Sequence, residues 1–90
     1  MDTDKNWVYI LRCRDGTLYT GCTNRLQHRL TQHQQGKGAK YTRGRGPFDL
    51  VYLEEGEGKS WGLRREREIK SMSRQRKWRL IDEAAKVVRG

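Results

Sequence analysis

Apolar residues fall into six short patches along the 90-residue chain, and their spacing differs from patch to patch. Trp7 to Cys13 is rich in β-branched and aromatic residues and reads as a strand. Asp15-Gly16 follows as a hairpin signal, and Leu18 to Cys22 reads as the returning strand. Thr23 or Asn24 can cap a helix in which Leu26 and Leu30 recur four residues apart and which Gly36 can end. Phe48 to Glu54 reads as a third strand with Phe48, Leu50 and Tyr52 on one face. Ser60 can open a second helix reaching Met72, with Leu63, Ile69 and Met72 as its sparse apolar positions. Ser71 or Ser73 can open a third, along which Trp78, Ile81, Ala85 and Val88 recur at helical spacing. The expected order is β-β-α-β-α-α: an α+β fold with a small, largely antiparallel three-stranded sheet flanked by helices. Ninety residues suit one domain, residues 1–90, with its core over about 7–81.

Strand parity makes a sharper prediction. A two-residue loop at Asp15-Gly16 would set Tyr9 and Tyr19 on opposite faces. A three-residue loop, Arg14-Asp15-Gly16, pairs position 11 with 19 and sets both tyrosines on one face. The longer loop places Gly16 in the left-handed conformation that glycine favours, so it is the one expected.

Charge changes the picture next. The chain carries 20 Lys plus Arg against 11 Asp plus Glu, a formal net charge of +9. Arg64 to Arg79 holds eight basic residues and two acids. The segment Gly36–Pro47 adds Lys37, Lys40, Arg43 and Arg45 with four glycines and no acid, and reads as a mobile cationic loop. Tyr41, Trp61 and Trp78 lie among these bases, although Trp78 falls on the apolar stripe of its helix and reads as core. A merely solvated helix face mixes signs. This one does not, which points to a polyanion, nucleic acid above all. The candidate contacts are Lys37, Lys40, Tyr41, Arg43 and Arg45 in the loop and Arg65, Lys70, Arg74 and Lys77 on the helices. Attachment to an anionic membrane is disfavoured, because the charge does not lie opposite a large apolar helix face. No apolar run approaches the roughly 20 residues of a membrane span, and the N-terminus has no signal-peptide core. Two cysteines, Cys13 and Cys22, are too few for a disulfide scaffold or a four-ligand zinc site. They fit a soluble, cytoplasmic protein with free, buried thiols.

Several residue types then stand at meaningful spacing. Tyr9 and Tyr19 lie ten residues apart, Arg25, Arg29 and His33 follow on one helix, and Glu66 stands on a helix that is otherwise basic. Taken singly, a strand tyrosine or a helical histidine is ordinarily a packing residue, and Glu66 would be the ion-pair partner of Lys70. Taken together, the run Tyr9, Tyr19-Thr20-Gly21, Arg29, His33, Glu66 resembles the GIY-YIG nuclease family, and most closely its small stand-alone UPF0213 group. Gly36 to Arg43 and Arg65-Glu66 with Ile69-Lys70 fit that group, and the resemblance spans roughly Trp7 to Ile81.

The resemblance implies an endonuclease that hydrolyses DNA phosphodiester bonds with a single divalent ion, Mg²⁺ or Mn²⁺. Tyr9 and Tyr19 would be the two triplet tyrosines, Gly21 the closing glycine, Arg29 and His33 the helical pair, and Glu66 the metal ligand. These types suit the chemistry. Arg29 can fork onto non-bridging phosphate oxygens, and one carboxylate suffices for an ion that keeps most of its waters. Tyr9 is expected to activate water with Arg29, the metal and His33 easing its ionisation, and His33 to relay the proton. Tyr19 would position water or phosphate; the two tyrosine roles could be exchanged. The small surface and basic loop suit single-stranded or branched DNA, in repair, recombination or DNA uptake. Two departures stand out. Val8 replaces the first glycine, and the asparagine many members carry late in the domain is missing. Asn6 and Asn24 are too early, leaving Gln75, Arg74 or Lys77 as substitutes. The other class open to the sequence is a basic module that holds nucleic acid without cutting it.

Overall fold

A computed structural model describes residues 4–37 and 46–89, with side chains through residue 85. The elements are β1 (Lys5–Arg12), β2 (Leu18–Thr23), α1 (Leu26–Gln34), β3 (Asp49–Glu57), α2 (Lys59–Lys70) and α3 (Arg74–Arg89), in the expected order. They form an α+β fold whose three-stranded sheet runs β2-β1-β3, antiparallel throughout.

β1 takes the centre because it is apolar on both sides. Val8, Tyr9, Ile10 and Leu11 are each at most 2% exposed. Val8 and Ile10 join Leu18, Tyr52, Ile69 and Ile81 in the core beneath α2 and α3. Tyr9, Leu11 and Cys13 turn the other way and pack with Phe48, against Leu26 and Leu30 of α1. Burial of each such large side chain is worth about 1.5–3 kcal/mol, which is how a short chain with little apolar material holds a sheet between helices. Among the described residues no helix is long and apolar enough to cross a membrane.

The hairpin has the three-residue loop. Leu11 pairs with Tyr19, the Cys13 N–H donates to Thr17 O at 2.8 Å, and Gly16 adopts φ 87°. Asp15 accepts from the Thr17 N–H at 3.0 Å and fixes the turn.

Four boundaries differ from the sequence expectation, each for a local reason. The register of β1 on β3 shifts between Ile10, opposite Tyr52, and Leu11, opposite Leu50. Val51 is the extra residue, so Phe48 and Tyr52 enter different clusters instead of sharing a face. A bulge of this kind is invisible to a count of two. Helix α2 starts at Lys59, before Ser60, where the Gly58 N–H donates to Asp4 O at 2.7 Å. It ends at Lys70, two residues short of Met72, and Ser73 accepts from the Arg76 N–H at 3.1 Å to begin α3. Thr23 accepts from Arg25 N–H at 3.0 Å and so organises the turn ahead of α1 rather than the helix itself, whose first residue is Leu26. Gly36 does end that helix. At φ 77° it closes a Schellman pair, Gly36 N–H to His33 O at 3.0 Å and Lys37 N–H to Gln32 O at 2.8 Å.

The expected cationic loop lies largely outside the described residues, and with it Lys40, Tyr41, Arg43 and Arg45. Trp61 and Trp78 are packing residues. The Trp61 ring lies against Gly56 so closely that a Cβ there would be 2.5 Å from it. Trp78 packs on the core beneath Arg74, whose guanidinium is 6.0 Å from the ring centre.

Candidate active site

Tyr9 and Tyr19 project from neighbouring strands on the α1 side of the sheet, as strand parity required, with ring centres 6.5 Å apart. Helix α1 sets His33 against both, at 5.9 Å from the Tyr9 ring and 5.4 Å from that of Tyr19. The Tyr9 hydroxyl and His33 Nε2 are 3.0 Å apart in a buried hydrogen bond. Arg29, one turn earlier, donates from Nη1 to Gln32 Oε1 at 3.1 Å, and its guanidinium acts on the Tyr9 hydroxyl. Gly21 faces Tyr9 across the ladder, and a Cβ there would lie 2.5 Å from the phenol Cζ and Oη. The missing side chain is the seat of the tyrosine ring.

Glu66 comes from α2, which packs on the other side of the sheet. Its carboxylate pairs with Lys70 Nζ at 3.1 Å, and 20% of the side chain is exposed. Its charge acts on both Tyr9 and Cys22.

Burial separates the two tyrosines. Tyr9 has no exposed surface and His33 has 1%, whereas Tyr19 is half-buried. Desolvation pushes the Tyr9 hydroxyl up to about 12. The Arg29 guanidinium pulls it down, and the charges of Tyr19 and Glu66 push it further up. This corrects the expectation that Arg29 and His33 make Tyr9 easily ionised: burial outweighs them. His33 is held below its ordinary value by burial first and by the Arg29 charge second. Both partners of the buried bond are therefore neutral at neutral pH. The phenol donates to Nε2 when the imidazole carries its proton on Nδ1.

The other candidates are dispersed. Lys37 is exposed just beyond α1, Lys70 is engaged with Glu66, and Lys77 is half-buried. Arg74 lies exposed beside the hairpin turn at Gly16. Arg65 has a structural role. Its Nε and Nη2 fork onto Glu54 at 2.7 and 3.3 Å, joining α2 to β3, and Nη1 reaches Glu68 at 2.9 Å, so three of its five N–H donors are engaged within the protein. Two residues of the site were not singled out beforehand. Gln32 holds Arg29, a partnership its i+3 spacing could have suggested. Phe48 packs edge-on against His33 at 5.9 Å, for which the sequence carries no signal.

Comparison with known proteins decides the family. A model of the GIY-YIG catalytic domain matches residues 5–79. The chain belongs to the GIY-YIG family. Within that nuclease-type family it sides with the UPF0213 proteins. It is 53% identical to UPF0213 protein OB0043 of Oceanobacillus iheyensis, covering 88% of this chain and 92% of the relative. It is 51% identical to UPF0213 protein NP_0776A of Natronomonas pharaonis, covering 84% and 89%. The solution structure of UPF0213 protein BH0048 from Bacillus halodurans is similar at TM-score 0.58 and 47% identity, covering 87% of this chain and 83% of that one. The solution structure of protein EF2693 from E. faecalis is similar at TM-score 0.61 and 31% identity, covering 94% and 93%.

GIY-YIG proteins generally use a divalent metal. Among the described residues no group of three or more His, Cys, Asp or Glu side chains could enclose one. The donor set still fits a hard ion that retains its waters, because the Glu66 carboxylate is partly open to solvent; the exposed Lys70 ammonium now paired with it is the cation such an ion would displace.

Proposed function

We propose that this GIY-YIG protein is a metal-dependent endonuclease that hydrolyses phosphodiester bonds in single-stranded or branched DNA. The observation that carries the reading is the buried Tyr9–His33 hydrogen bond, lying within reach of Arg29 and of the Glu66 charge. A packing tyrosine needs no neutral imidazole at its hydroxyl and no carboxylate beyond it.

Exposure favours the expected division of roles between the tyrosines. Tyr19 is the tyrosine open to solvent, so it takes the place beside the attacking water and the phosphate. Tyr9 and His33 stand behind it as a proton-accepting pair. The neutral His33 takes up the proton released as water attacks phosphorus, and the Tyr9 hydroxyl passes it along the 3.0 Å bond. Arg29 keeps guanidinium donors beyond the one used on Gln32, and these neutralise the non-bridging phosphate oxygens. A divalent ion held by Glu66 would supply charge neutralisation at the phosphate and the leaving oxygen. The excess of basic residues holds the polyanion, with Lys37, Arg74 and Lys77 as contacts; Lys40, Tyr41, Arg43 and Arg45 are assigned to the same role from sequence alone. Unpaired strands are favoured because a chain of this size offers little surface to read a long duplex.

The test is a cleavage assay on single-stranded, duplex and branched DNA and on single-stranded RNA, with Mg²⁺, Mn²⁺ or EDTA. The expected result is metal-dependent cutting of unpaired or branched DNA by wild type. Glu66→Gln should lower it by about a hundredfold or more while binding is kept or tightened. Salt-sensitive binding without cutting in either protein would replace this reading with that of a binding module.

A further inference from the structure

Round the β2 edge from the tyrosines lies a cleft of about 350 Å³, at the lower end of the range for small-ligand sites. It opens where β2 runs into the turn before α1 and where α2 begins. Asn6, Cys22, Thr23, Asn24, Lys59 and Leu63 line it, and none has a role in the chemistry above. The only two asparagines in the chain, eighteen positions apart in sequence, meet here.

The cleft carries a hydrogen-bond acceptor that no protein group uses. Asn6 is 6% exposed and donates from Nδ2 to Asp4 O at 3.0 Å. Among the described residues nothing donates to its Oδ1. That oxygen is not closed off from solvent, since the buried side-chain atom left without a partner among the described residues is Thr20 Oγ1, so a ligand bearing an N–H can take the place of water on it. Asn24 is exposed at the rim and offers both amide donors and an acceptor. Leu63 supplies a 44%-exposed apolar flank on a helix whose outer face is otherwise charged. Asp4 also lines the space, so two acceptors face inward and a phosphate is disfavoured inside; Lys59 lies at the N-terminal end of α2.

The cleft also adjoins the candidate active site. Cys22 lines it, lies within the field of Glu66, and follows Gly21, on which Tyr9 rests. Leu63 is three residues before Glu66, and residues so spaced are neighbours on a helix surface.

The geometry points to a seat for one unpaired nucleobase of the bound DNA strand, flanking the phosphate that lies at Glu66. This rests on the nuclease reading for its register and deepens it. Asn6 Oδ1 accepts an N–H from the base edge, Asn24 completes the edge contact, Leu63 covers the ring, and Lys59 meets a neighbouring phosphate. A base in a duplex cannot enter, so the cleft selects unpaired strands.

The test is fluorescence anisotropy with the full chain in EDTA, using a labelled single-stranded oligonucleotide and a hairpin duplex. Both variant positions are exposed, so the fold of Asn24→Ala/Leu63→Ser is retained. The variant should bind the single strand about five- to tenfold more weakly and the duplex unchanged, the size expected for one hydrogen bond and part of a stacking contact. A single abasic residue stepped along the strand should weaken wild type by the same factor at one position, and there abolish the difference between wild type and variant. Equal losses on strand and duplex, no loss, or no position dependence would overturn the base seat. The two readings are separated by the cleavage assay. Metal-dependent cutting lost in Glu66→Gln, with the abasic pattern absent, leaves the nuclease and removes the cleft. The abasic pattern without cutting leaves the cleft and removes the nuclease.

Discussion

Tyr9 rests on a residue that has no side chain, and that contact makes a discriminating experiment. Alanine in place of an ordinary strand glycine stabilises by limiting the unfolded chain. At Gly21 the added methyl meets the Tyr9 phenol at 2.5 Å. Gly21→Ala should therefore lower stability by about 1–3 kcal/mol and cleavage by about tenfold or more, read by denaturant unfolding and by kcat. His33 gives a pH signature. The unfolded chain takes up a proton near pH 6.5, whereas burial and Arg29 delay uptake in the folded protein. Below that pH the unfolded state binds more protons. The His33 contribution is thus complete above about pH 6.5 and is lost as pH falls through the depressed folded value. Urea midpoints at about pH 8 and about pH 5 should diverge for wild type and converge for His33→Phe. At this scale type and spacing in the sequence pointed to Tyr9, Tyr19 and His33, and the fold brings their rings together. The sequence could not rank the two tyrosines, because which one keeps its hydroxyl from water depends on α1 and Phe48 folding over it.

Between elements, legibility followed how local the determining contact is. The hairpin register was readable because Arg14-Asp15-Gly16 contains its own geometry. The end of α1 was readable because Gly36 closes its own Schellman pair. The Val51 bulge was not, since it exists only against β1, and the start of α2 was not, since Gly58 is held by Asp4 from the far end of the chain. The junction of α2 with β3 was also hidden, because Arg65 read as one more base in a basic run. It is the clasp that sets the helix bearing Glu66 on the sheet, with Glu54, Glu68 and Tyr52 gathered around it. Its charge pair with Glu54 is 22% and 28% exposed, so screening is incomplete. Arg65→Met, which keeps the aliphatic stem, should cost about 1–3 kcal/mol. It should weaken nucleic-acid binding far less than loss of Arg74 does, a comparison made by thermal unfolding and anisotropy on both variants.

At the scale of the whole molecule, the sheet separates the helix carrying Arg29 and His33 from the helix carrying Glu66, and the candidate chemistry gathers near β2. The opposite edge is β3, and its distribution of residues has a further consequence. Asp49, Glu54, Glu55 and Glu57 lie on that strand with no base among them, in a chain of net charge +9. Asp49, Glu54 and Glu55 are paired with Arg12, Arg65 and Lys5, so this edge is close to neutral while the excess of charge lies elsewhere, and charge so divided is a permanent dipole. A diffusing polyanion feels its torque before it touches anything, and is turned away from β3 and towards the opposite flank. Glu55→Gln/Glu57→Gln should therefore speed association at low salt while lowering the fraction of encounters that end in cleavage, as stopped-flow binding and single-turnover cutting would separate. On the nuclease reading this strand works as a rudder, deciding which way round the protein arrives.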